Sequence, residues 1–317
     1  MTTAFVLSGG GSLGAVQVGM LQALGERGVT PDLLVGSSAG ALNAAFVAGH
    51  GTGRAALEEL GGLWRSLRRR DLFALSPVRG VLALAGRRTS LFSADPLRRL
   101  VEANLGYDDL LDARIGLHLV STELGSGREV LLSHGSAVGA VLASAAIPGV
   151  FPPVPHEGRL LVDGCITQHT AIRHAVELGA DVVYLLPTGY PCALPDVPRS
   201  AVGTALQALT LLSHQQLVGE VSRHTGPARL KVLPPLCPLN VSAADFGKAD
   251  RLITRAHRAT GSWIDAGGPD LPEPQQFLAL HDHTPIRNTI RNTIRNTGGT
   301  VRAGDEVVSG TCPHPSG

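Results

Sequence analysis

The chain has 317 residues and a formal net charge of +1, so its overall charge does not indicate nucleic-acid binding. Hydrophobic residues make up 44% of the sequence but aromatic residues only 4%, which favours close-packed helices on a parallel sheet over an all-β sandwich. The sequence has no apolar run long enough to span a bilayer, no leader-like start and no metal-like or disulfide-like cysteine spacing, so it predicts a cytoplasmic protein.

The predicted elements alternate between short apolar strands and longer helices. Strands are predicted at residues 4–7, 33–35, 115–121, 129–132, 160–162, 182–186 and 230–233. Helices are predicted at residues 15–27, 39–48, 54–69, from 95 onward, 136–146, 169–178, 202–221 and 244–264. Such alternation is typical of an α/β domain with a mostly parallel sheet, and it places this domain at residues 1–265.

The composition changes at about residue 266, where Gly, Pro, Thr and Asn become dominant. The tetrapeptide Ile-Arg-Asn-Thr occurs three times in tandem over residues 286–297. A four-residue period matches no solenoid repeat, and β-branched Thr together with Asn makes a poor helix. Residues 266–317 are therefore predicted to form a disordered, low-complexity tail.

A nucleophile motif lies between the second strand and the helix that follows it. Gly36-Ser37-Ser38-Ala39-Gly40 has the G-x-S-x-G spacing of a sharp strand-to-helix turn that exposes a serine hydroxyl. Gly36 and Gly40 remove the side chains that would crowd this turn, and the helix N-terminus favours developing negative charge on the serine. Ser38 is the predicted nucleophile, against the alternative of an ordinary helix-capping turn.

A glycine-rich loop follows the first strand. Gly9, Gly11 and Gly14 have G-x-G-x-x-G spacing, which would suit a dinucleotide, but the next strand does not end in the acidic residue that holds a ribose. Backbone N–H groups at a helix start suit any anion, so Gly9, Gly10 and Gly11 are predicted to bind the oxyanion of a tetrahedral intermediate. Because residues 10–14 also match G-x-S-x-G, Ser12 is a rival nucleophile.

A nucleophilic serine requires a general base, and the residues alone leave two options. Asp163-Gly164 lies at the end of a predicted strand, where α/β active sites collect their residues. The other option is a histidine, although none has a distinctive context: His50, His118, His134, His156, His169, His174, His214, His224 and His257.

Four motifs in this order resemble the patatin-like phospholipase family of bacterial-type serine lipid acyl hydrolases. They are the loop at residues 9–14, the elbow at 36–40, the stretch Ala143-Ser144-Ala145-Ala146-Ile147-Pro148-Gly149-Val150-Phe151-Pro152-Pro153-Val154, and Asp163-Gly164. The resemblance extends over residues 4–264, where Glu177-Leu178-Gly179-Ala180-Asp181 is also similar. It implies a three-layer α/β/α sandwich and a Ser–Asp dyad without histidine, with Ser38 as nucleophile and Asp163 as base. The oxyanion hole would come from N–H groups of the glycine-rich loop.

Three positions depart from the family pattern. Cys165 replaces the usual small residue after Asp-Gly, Leu13 replaces a basic residue found in many members, and His169 lies where Asn-x-Pro is common. No departure removes a catalytic group. They bear on substrate preference and rate rather than on reaction type.

The resemblance implies a hydrolase that acts on fatty-acyl esters of lipids, through an acyl-enzyme and with no metal or organic cofactor. The alternatives are an esterase or thioesterase for small soluble substrates, and a non-catalytic regulatory protein that binds a nucleotide or anion at the glycine-rich loop. The apolar segment 71–92 lies among many arginines, which suits either a lid that meets an anionic membrane or ordinary packing beside a solvated helix face.

Overall fold

The structure is a computed structural model that describes residues 1–73, 85, 87–167, 171–194, 198, 200–271 and 278–280. Its strands are β1 Thr3–Leu7, β2 Leu33–Ser37, β3 Gly116–Glu123, β4 Glu129–Leu132, β5 Val154–His156, β6 Arg159–Asp163, β7 Val182–Leu186 and β8 Arg229–Val232. Its helices are α1 Gly14–Glu26, α2 Ala39–His50, α3 Arg54–Ser66, α4 Arg69–Leu72, α5 Asp95–Asn104, α6 Ala137–Ser144, α7 Ala171–Glu177, α8 Ala201–Arg223 and α9 Ala249–Asp265.

The strands form one mixed sheet in the order β5-β6-β3-β2-β1-β7-β8, with β4 also paired to β3. The five strands β3, β2, β1, β7 and β8 are parallel, whereas β4, β5 and β6 join antiparallel. The central strands β1, β2 and β7 are short and almost fully buried, as expected for strands covered by helices on both faces.

Alternate residues of the central strands face two separate cores. Phe5 and Leu34 pack into a core with residues of α1, α2, α3 and α9, whereas Val6 and Val35 pack into a second core with α7 and α8. Because successive side chains of a strand point to opposite faces, the two cores lie on opposite sides of the sheet. The fold is therefore a three-layer α/β/α sandwich with a mostly parallel sheet, which confirms the predicted class.

The carboxyl ends of β2 and β6 meet beside β3. The last paired residue of β2 is Ser37, opposite Val120, and the last paired residue of β6 is Asp163, opposite Ser121. Val120 and Ser121 are neighbours in β3, so residues distant in sequence come together at this edge. Ser38 follows β2 directly, and this topology places it next to Asp163.

Some predicted boundaries are wrong for local reasons. The helix predicted at 54–69 ends at Ser66, because Leu67 and Arg68 are extended and the Asp71 carboxylate accepts a hydrogen bond from the Arg68 N–H. The helix predicted to start at 244 starts at Ala249, after a 3-10 turn over Phe246–Lys248. Strand β5 was not predicted, since its Val-Pro-His sequence carries a proline.

Several predictions fall partly on residues outside the described ranges. In the segment 71–92, residues 74–84 and 86 lie outside. His169 also lies outside, within 168–170, as does most of the tail with its repeat at 286–297. Within the described part of the tail, Leu278 is fully buried in the α7–α8 core and its carbonyl lies 2.8 Å from Nε2 of His214. The boundary at residue 265 stays a prediction, and Leu278 shows that a core contact lies beyond it.

Candidate active site

Ser38 occupies a strained turn between β2 and α2. Its backbone has φ 54° and ψ −123°, a conformation that non-glycine residues rarely adopt. This is the geometry of a nucleophile elbow, which lifts the hydroxyl away from the strand and presents it at the start of a helix. The side chain is nonetheless almost buried, at 5% exposure.

The glycines of the elbow allow close packing around this turn. A Cβ atom on Gly40 would overlap the carbonyl oxygen of Leu7, and one on Gly36 would lie 2.8 Å from Cα of Ala41. Gly164 is equally restricted, because its Cβ would overlap the carbonyl oxygen of Val120. Glycine at these motif positions lets β1, β2 and α2 approach one another at the turn.

Asp163 is fully buried and hydrogen-bonded to Ser38. The Ser38 hydroxyl donates to Oδ2 of Asp163 at 2.6 Å, and the backbone N–H of Cys165 donates to Oδ1 at 2.9 Å. The Asp163 backbone is held by Ala146, whose carbonyl accepts its N–H, and by Thr122, whose hydroxyl donates to its carbonyl. Both carboxylate oxygens thus have partners, one of them the predicted nucleophile.

Burial controls the charge state of the site. It raises the pKa of Asp163 above its usual range, while the hydrogen bonds from Cys165 and Ser38 act in the opposite direction. The pKa of the neighbouring Cys165 thiol is raised well above its usual range, first by burial and then by the Asp163 charge. Cys165 is therefore a neutral, buried side chain beside a carboxyl group whose proton affinity is increased.

Several histidines of the described ranges have other partners. Hydrogen bonds join His50 to the Phe46 carbonyl, His118 to Ser133 and His257 to Glu26. Within the described residues, no histidine forms a hydrogen bond with Ser38 or Asp163. Here the structure brings Ser38 together with an aspartate and not with a histidine.

The glycine-rich loop lies against the elbow. A Cβ atom on Gly9 would lie 2.9 Å from Cβ of Ser38 and 3.6 Å from its Oγ, so the Gly9 backbone is directly beside the hydroxyl. Gly11 has a φ of +57°, which turns the chain into the short 3-10 segment before α1. Among the residues that the structure describes, no carbonyl accepts a hydrogen bond from the N–H groups of Gly9, Gly10 or Gly11.

Ser12, the rival nucleophile, lies in a different environment. Its hydroxyl donates to the carbonyl of Ser242 at 3.0 Å, and its backbone N–H donates to the carbonyl of Ala243 at 2.8 Å. The side chain is 2% exposed and has no carboxylate partner in the described part of the chain. Ser12 fastens the glycine-rich loop to the segment before α9.

A buried polar network behind the loop was not found from the sequence. Trp64 donates to Oδ1 of Asn43, whose amide donates to Gln17 and to the carbonyl of Gly14. Gln17 in turn donates to the carbonyls of Ser8 and Leu186. The signal was present, since Gln17 and Asn43 are polar residues inside otherwise apolar helices.

Other supporting residues were also missed. Ser144 lies in the motif stretch 143–154, in which the sequence predicts no role for single residues. Its hydroxyl donates to the Val120 carbonyl, and its Oγ lies 3.2 Å from the Ser38 backbone nitrogen. The Thr188 hydroxyl donates a hydrogen bond to the Gly9 carbonyl, and the Thr188 backbone N–H donates one to the Ser8 hydroxyl. These contacts come from distant parts of the chain, which local sequence patterns do not connect.

A narrow, mostly apolar pocket opens beside Ser38. Its floor is formed by the glycine-rich loop and Cys165, and its apolar walls come from several elements: Phe73, Ile147, Leu206, Leu209, Ala243 and Phe246. None of the α8 residues in this wall was singled out from the sequence. A mostly apolar pocket beside a reactive polar group suits a substrate whose apolar part lies next to the group that reacts.

Comparisons with known proteins match the part of the chain that carries this site. The family model described as patatin-like phospholipase matches residues 5–176, which include Ser38 and Asp163. A lysophospholipase named nte1 from Aspergillus terreus is 27% identical over 290 residues, 82% of this chain and 18% of its own length. One from Emericella nidulans is 28% identical over 191 residues, 58% of this chain and 12% of its own length. The chain thus spans less than a fifth of these curated relatives.

Two solved structures are similar at low sequence identity. VipD from Legionella pneumophila is 16% identical with a TM-score of 0.39, covering 84% of this chain and 67% of its own. ExoU from Pseudomonas aeruginosa, in complex with SpcU, is 18% identical with a TM-score of 0.41, covering 84% and 53%. No helix in the described ranges is long and apolar enough to cross a membrane. The family model matches more than half of the sequence, and the chain belongs to the patatin-like phospholipase family.

Proposed function

We propose that the protein hydrolyses fatty-acyl esters of lipids through a Ser38–Asp163 dyad and an acyl-enzyme. The observation that carries this proposal is the 2.6 Å hydrogen bond from the Ser38 hydroxyl to the buried Asp163 carboxylate, at a strained elbow beside an apolar pocket. Family membership and the lysophospholipase names of the relatives support a lipid ester as substrate.

In the first half of the reaction, Oγ of Ser38 attacks the acyl carbonyl carbon while Asp163 accepts the hydroxyl proton. The resulting tetrahedral intermediate carries its negative charge on the former carbonyl oxygen. Collapse of this intermediate breaks the bond to the alcohol oxygen, and Asp163 returns the proton to the departing alkoxide. The products are the free alcohol and an acyl ester on Ser38.

In the second half, a water molecule attacks the acyl ester on Ser38, and Asp163 accepts one of its protons. The second tetrahedral intermediate collapses with release of the carboxylic acid, and the proton returns to Ser38. The raised pKa of Asp163 suits both steps, because a carboxylate with higher proton affinity is a stronger base. No metal is required in this scheme, since the dyad performs both proton transfers.

The glycine-rich loop is proposed to bind the oxyanion. Gly9 lies beside Ser38, and no described carbonyl takes up the N–H groups of Gly9, Gly10 and Gly11. Such preorganised donors stabilise the charge that develops in the transition state, by about 3–4 kcal/mol for one donor in a related reaction. The network through Gln17 holds the carbonyl of Ser8 and so fixes the loop's direction.

The test is a hydrolysis assay on acyl esters of graded chain length and on a lysophospholipid, with wild type, Ser38→Ala and Ser12→Ala. The wild type should release fatty acid, and Ser38→Ala should lose at least about a thousandfold in rate because the nucleophile is gone. Ser12→Ala should keep much of the activity. Hydrolysis confined to the shortest soluble esters would favour a small-substrate esterase instead, and an inactive Ser12→Ala with an active Ser38→Ala would reverse the assignment.

A further inference from the structure

Helix α8 carries an unusual sequence for a helix at the surface. From Ala201 to Gly219 it has no Asp, Glu, Lys or Arg, and the first such residue is Glu220. This uncharged stretch is about five helical turns long. A surface helix in water normally carries charged residues on its outer face, so the composition indicates that this face meets something other than water.

Most exposed positions of this uncharged stretch form one stripe along the helix. Ala205, Ala208, Leu212 and Gln215 are exposed and follow at intervals of three or four residues, which places them on one face. Leu212 is 58% exposed, one of the most exposed large apolar side chains in the described part of the chain. We call these four residues the outer stripe. It is uncharged, and Gln215 is the one polar residue among the four.

The opposite side of α8 belongs to the active site and the core. Leu206, Leu209 and Ser213 line the pocket beside Ser38. Further along the helix, Leu217 and Val221 are buried in the core with α7. The same helix thus joins the pocket on its inner side to an apolar surface on its outer side.

Positive charge lies next to another residue of the pocket wall, Phe73. Phe73, which lines the pocket with Leu206, directly follows the short helix α4 and the exposed residues Arg68, Arg69 and Arg70. Arg70 is 88% exposed, and its contact with Asp71 is a loose 3.8 Å. The pocket wall is therefore formed partly by an uncharged helix and partly by a residue that follows a group of solvated arginines.

We propose that the outer stripe of α8 inserts into an anionic lipid surface while Arg68, Arg69 and Arg70 bind its headgroups. Apolar insertion together with basic residues is the combination that holds amphipathic segments at anionic membranes. Docked in this way, α8 brings one wall of the pocket to the lipid surface, so an acyl ester has a short path to Ser38. The inference rests on the proposed function, and it adds the surface from which the substrate is taken.

The test uses flotation with vesicles of phosphatidylcholine containing phosphatidylglycerol, and with vesicles of phosphatidylcholine alone. It is carried out on the Ser38→Ala protein, the parent of the variants below, so that binding is measured without hydrolysis. Adding Ala208→Glu and Leu212→Glu should lower the partition coefficient on the anionic vesicles by about tenfold or more. The single change Leu212→Gln, which introduces no charge, should lower it by a smaller factor. Rising salt should weaken binding of the parent protein.

The matched control is Leu111→Glu. Leu111 is 74% exposed and precedes β3, at the end of the sheet opposite to the carboxyl ends that carry Ser38 and Asp163. Leu111→Glu should leave vesicle binding unchanged, although it adds a negative charge at a leucine that is more exposed than Leu212. The α8 changes, made in the wild-type chain, should keep activity on a short soluble ester, which shows that the fold is intact.

The proposal fails if the parent protein does not float with anionic vesicles, or if the α8 variants bind as tightly as the parent and Leu111→Glu. It also fails if the α8 changes turn a dimer into a monomer in size-exclusion chromatography, since a second copy would then cover the stripe. Vesicle binding by a protein that hydrolyses no ester would retain the docking surface and reject the proposed function. Ester hydrolysis without vesicle binding would retain the proposed function and reject the docking surface.

Discussion

At the scale of single residues, the site depends on one buried carboxyl group. Asp163 has no exposed surface, and its two oxygens are occupied by the Ser38 hydroxyl and the Cys165 N–H. The sequence predicted both Ser38 and Asp163, because each lies at the end of a strand in a recognisable motif. It could not decide between Asp163 and a histidine as the base, since that choice depends on contacts across the fold.

Asp163→Asn tests the proton transfer. An asparagine can still accept the Cys165 N–H but cannot take a proton, so the rate should fall by about a thousandfold. In the wild type, kcat/KM should rise with pH through the pKa of Asp163, which burial raises above the usual range, because only the ionised carboxylate is a base. The measurement is a pH profile on a short soluble ester.

The control for this prediction is Asp109→Asn, a carboxylate that also accepts backbone N–H groups, from Leu111 and Gly135. It should leave the rate and the profile unchanged. If the variant Asp163→Asn retained the same dependence on pH with a high rate, another group would have to be the base.

Glu220 is a second buried carboxyl group with an effect on stability. Burial raises its pKa to about 7, a nearby Glu129 acts in the same direction, and hydrogen bonds from the N–H groups of Ile172 and Arg173 and the charge of His174 oppose the rise. A raised carboxyl pKa favours the neutral form in the folded state. The stabilisation is therefore complete below the unfolded pKa near 4.5 and is lost as pH rises to about 7.

Glu220→Gln should remove this loss, which is on the order of 3 kcal/mol over that window. The variant should melt at a higher temperature than the wild type at pH 8, with a smaller difference at pH 5. Thermal melting at several pH values measures the effect, with Glu102→Gln on the exposed face of α5 as the control. Equal pH dependence in wild type and Glu220→Gln would contradict the assignment.

At the scale of elements, the site is made where strand ends meet. β2 and β6 end opposite neighbouring residues of β3, and the glycine-rich loop follows β1 in the same sheet. Most strands and helices were predictable from apolar runs and turn residues. The antiparallel β5, the break at Leu67 and the polar network through Asn43 were not, because each is determined by contacts with distant residues.

Gly40→Ala tests the close packing of the elbow. The added Cβ would overlap the carbonyl oxygens of Leu7 and Ser8, so β1 and α2 must separate, and the free energy of unfolding should fall by about 2 kcal/mol or more. Chemical denaturation measures the change. The matched control is Gly62→Ala in α3, where a Cβ meets nothing within 4 Å and the variant should gain up to about 1 kcal/mol. A Gly40→Ala protein as stable as wild type would contradict the packing argument.

At the scale of the whole molecule, the three-layer sandwich with its mostly parallel sheet could be anticipated from the alternation of strands and helices and from the motifs. The end of the domain could not. Leu278 lies beyond the composition change at 266, yet it is buried against α8, and a single apolar residue in a polar segment gives no periodic signal.

Two truncations locate the end of the domain. Removing residues 281–317 should leave the melting temperature and the activity close to those of the full chain. Removing 266–317 also deletes Leu278 and the 3.3 Å contact of Asp270 with Lys231, and loss of a buried leucine alone costs about 2–5 kcal/mol. The longer truncation should therefore melt clearly lower. Equal melting temperatures would show that the contact of Leu278 contributes nothing.

Ser38 is the proposed nucleophile of this fold. Labelling of the protein with a fluorophosphonate probe, followed by mass spectrometry of its peptides, tests this role. We expect one adduct on the peptide containing Ser38, its loss in Ser38→Ala, and slower labelling in Asp163→Asn because the base is gone. An adduct on Ser12, or a Ser38 that stays unmodified while the protein hydrolyses esters, would rule out this role for Ser38.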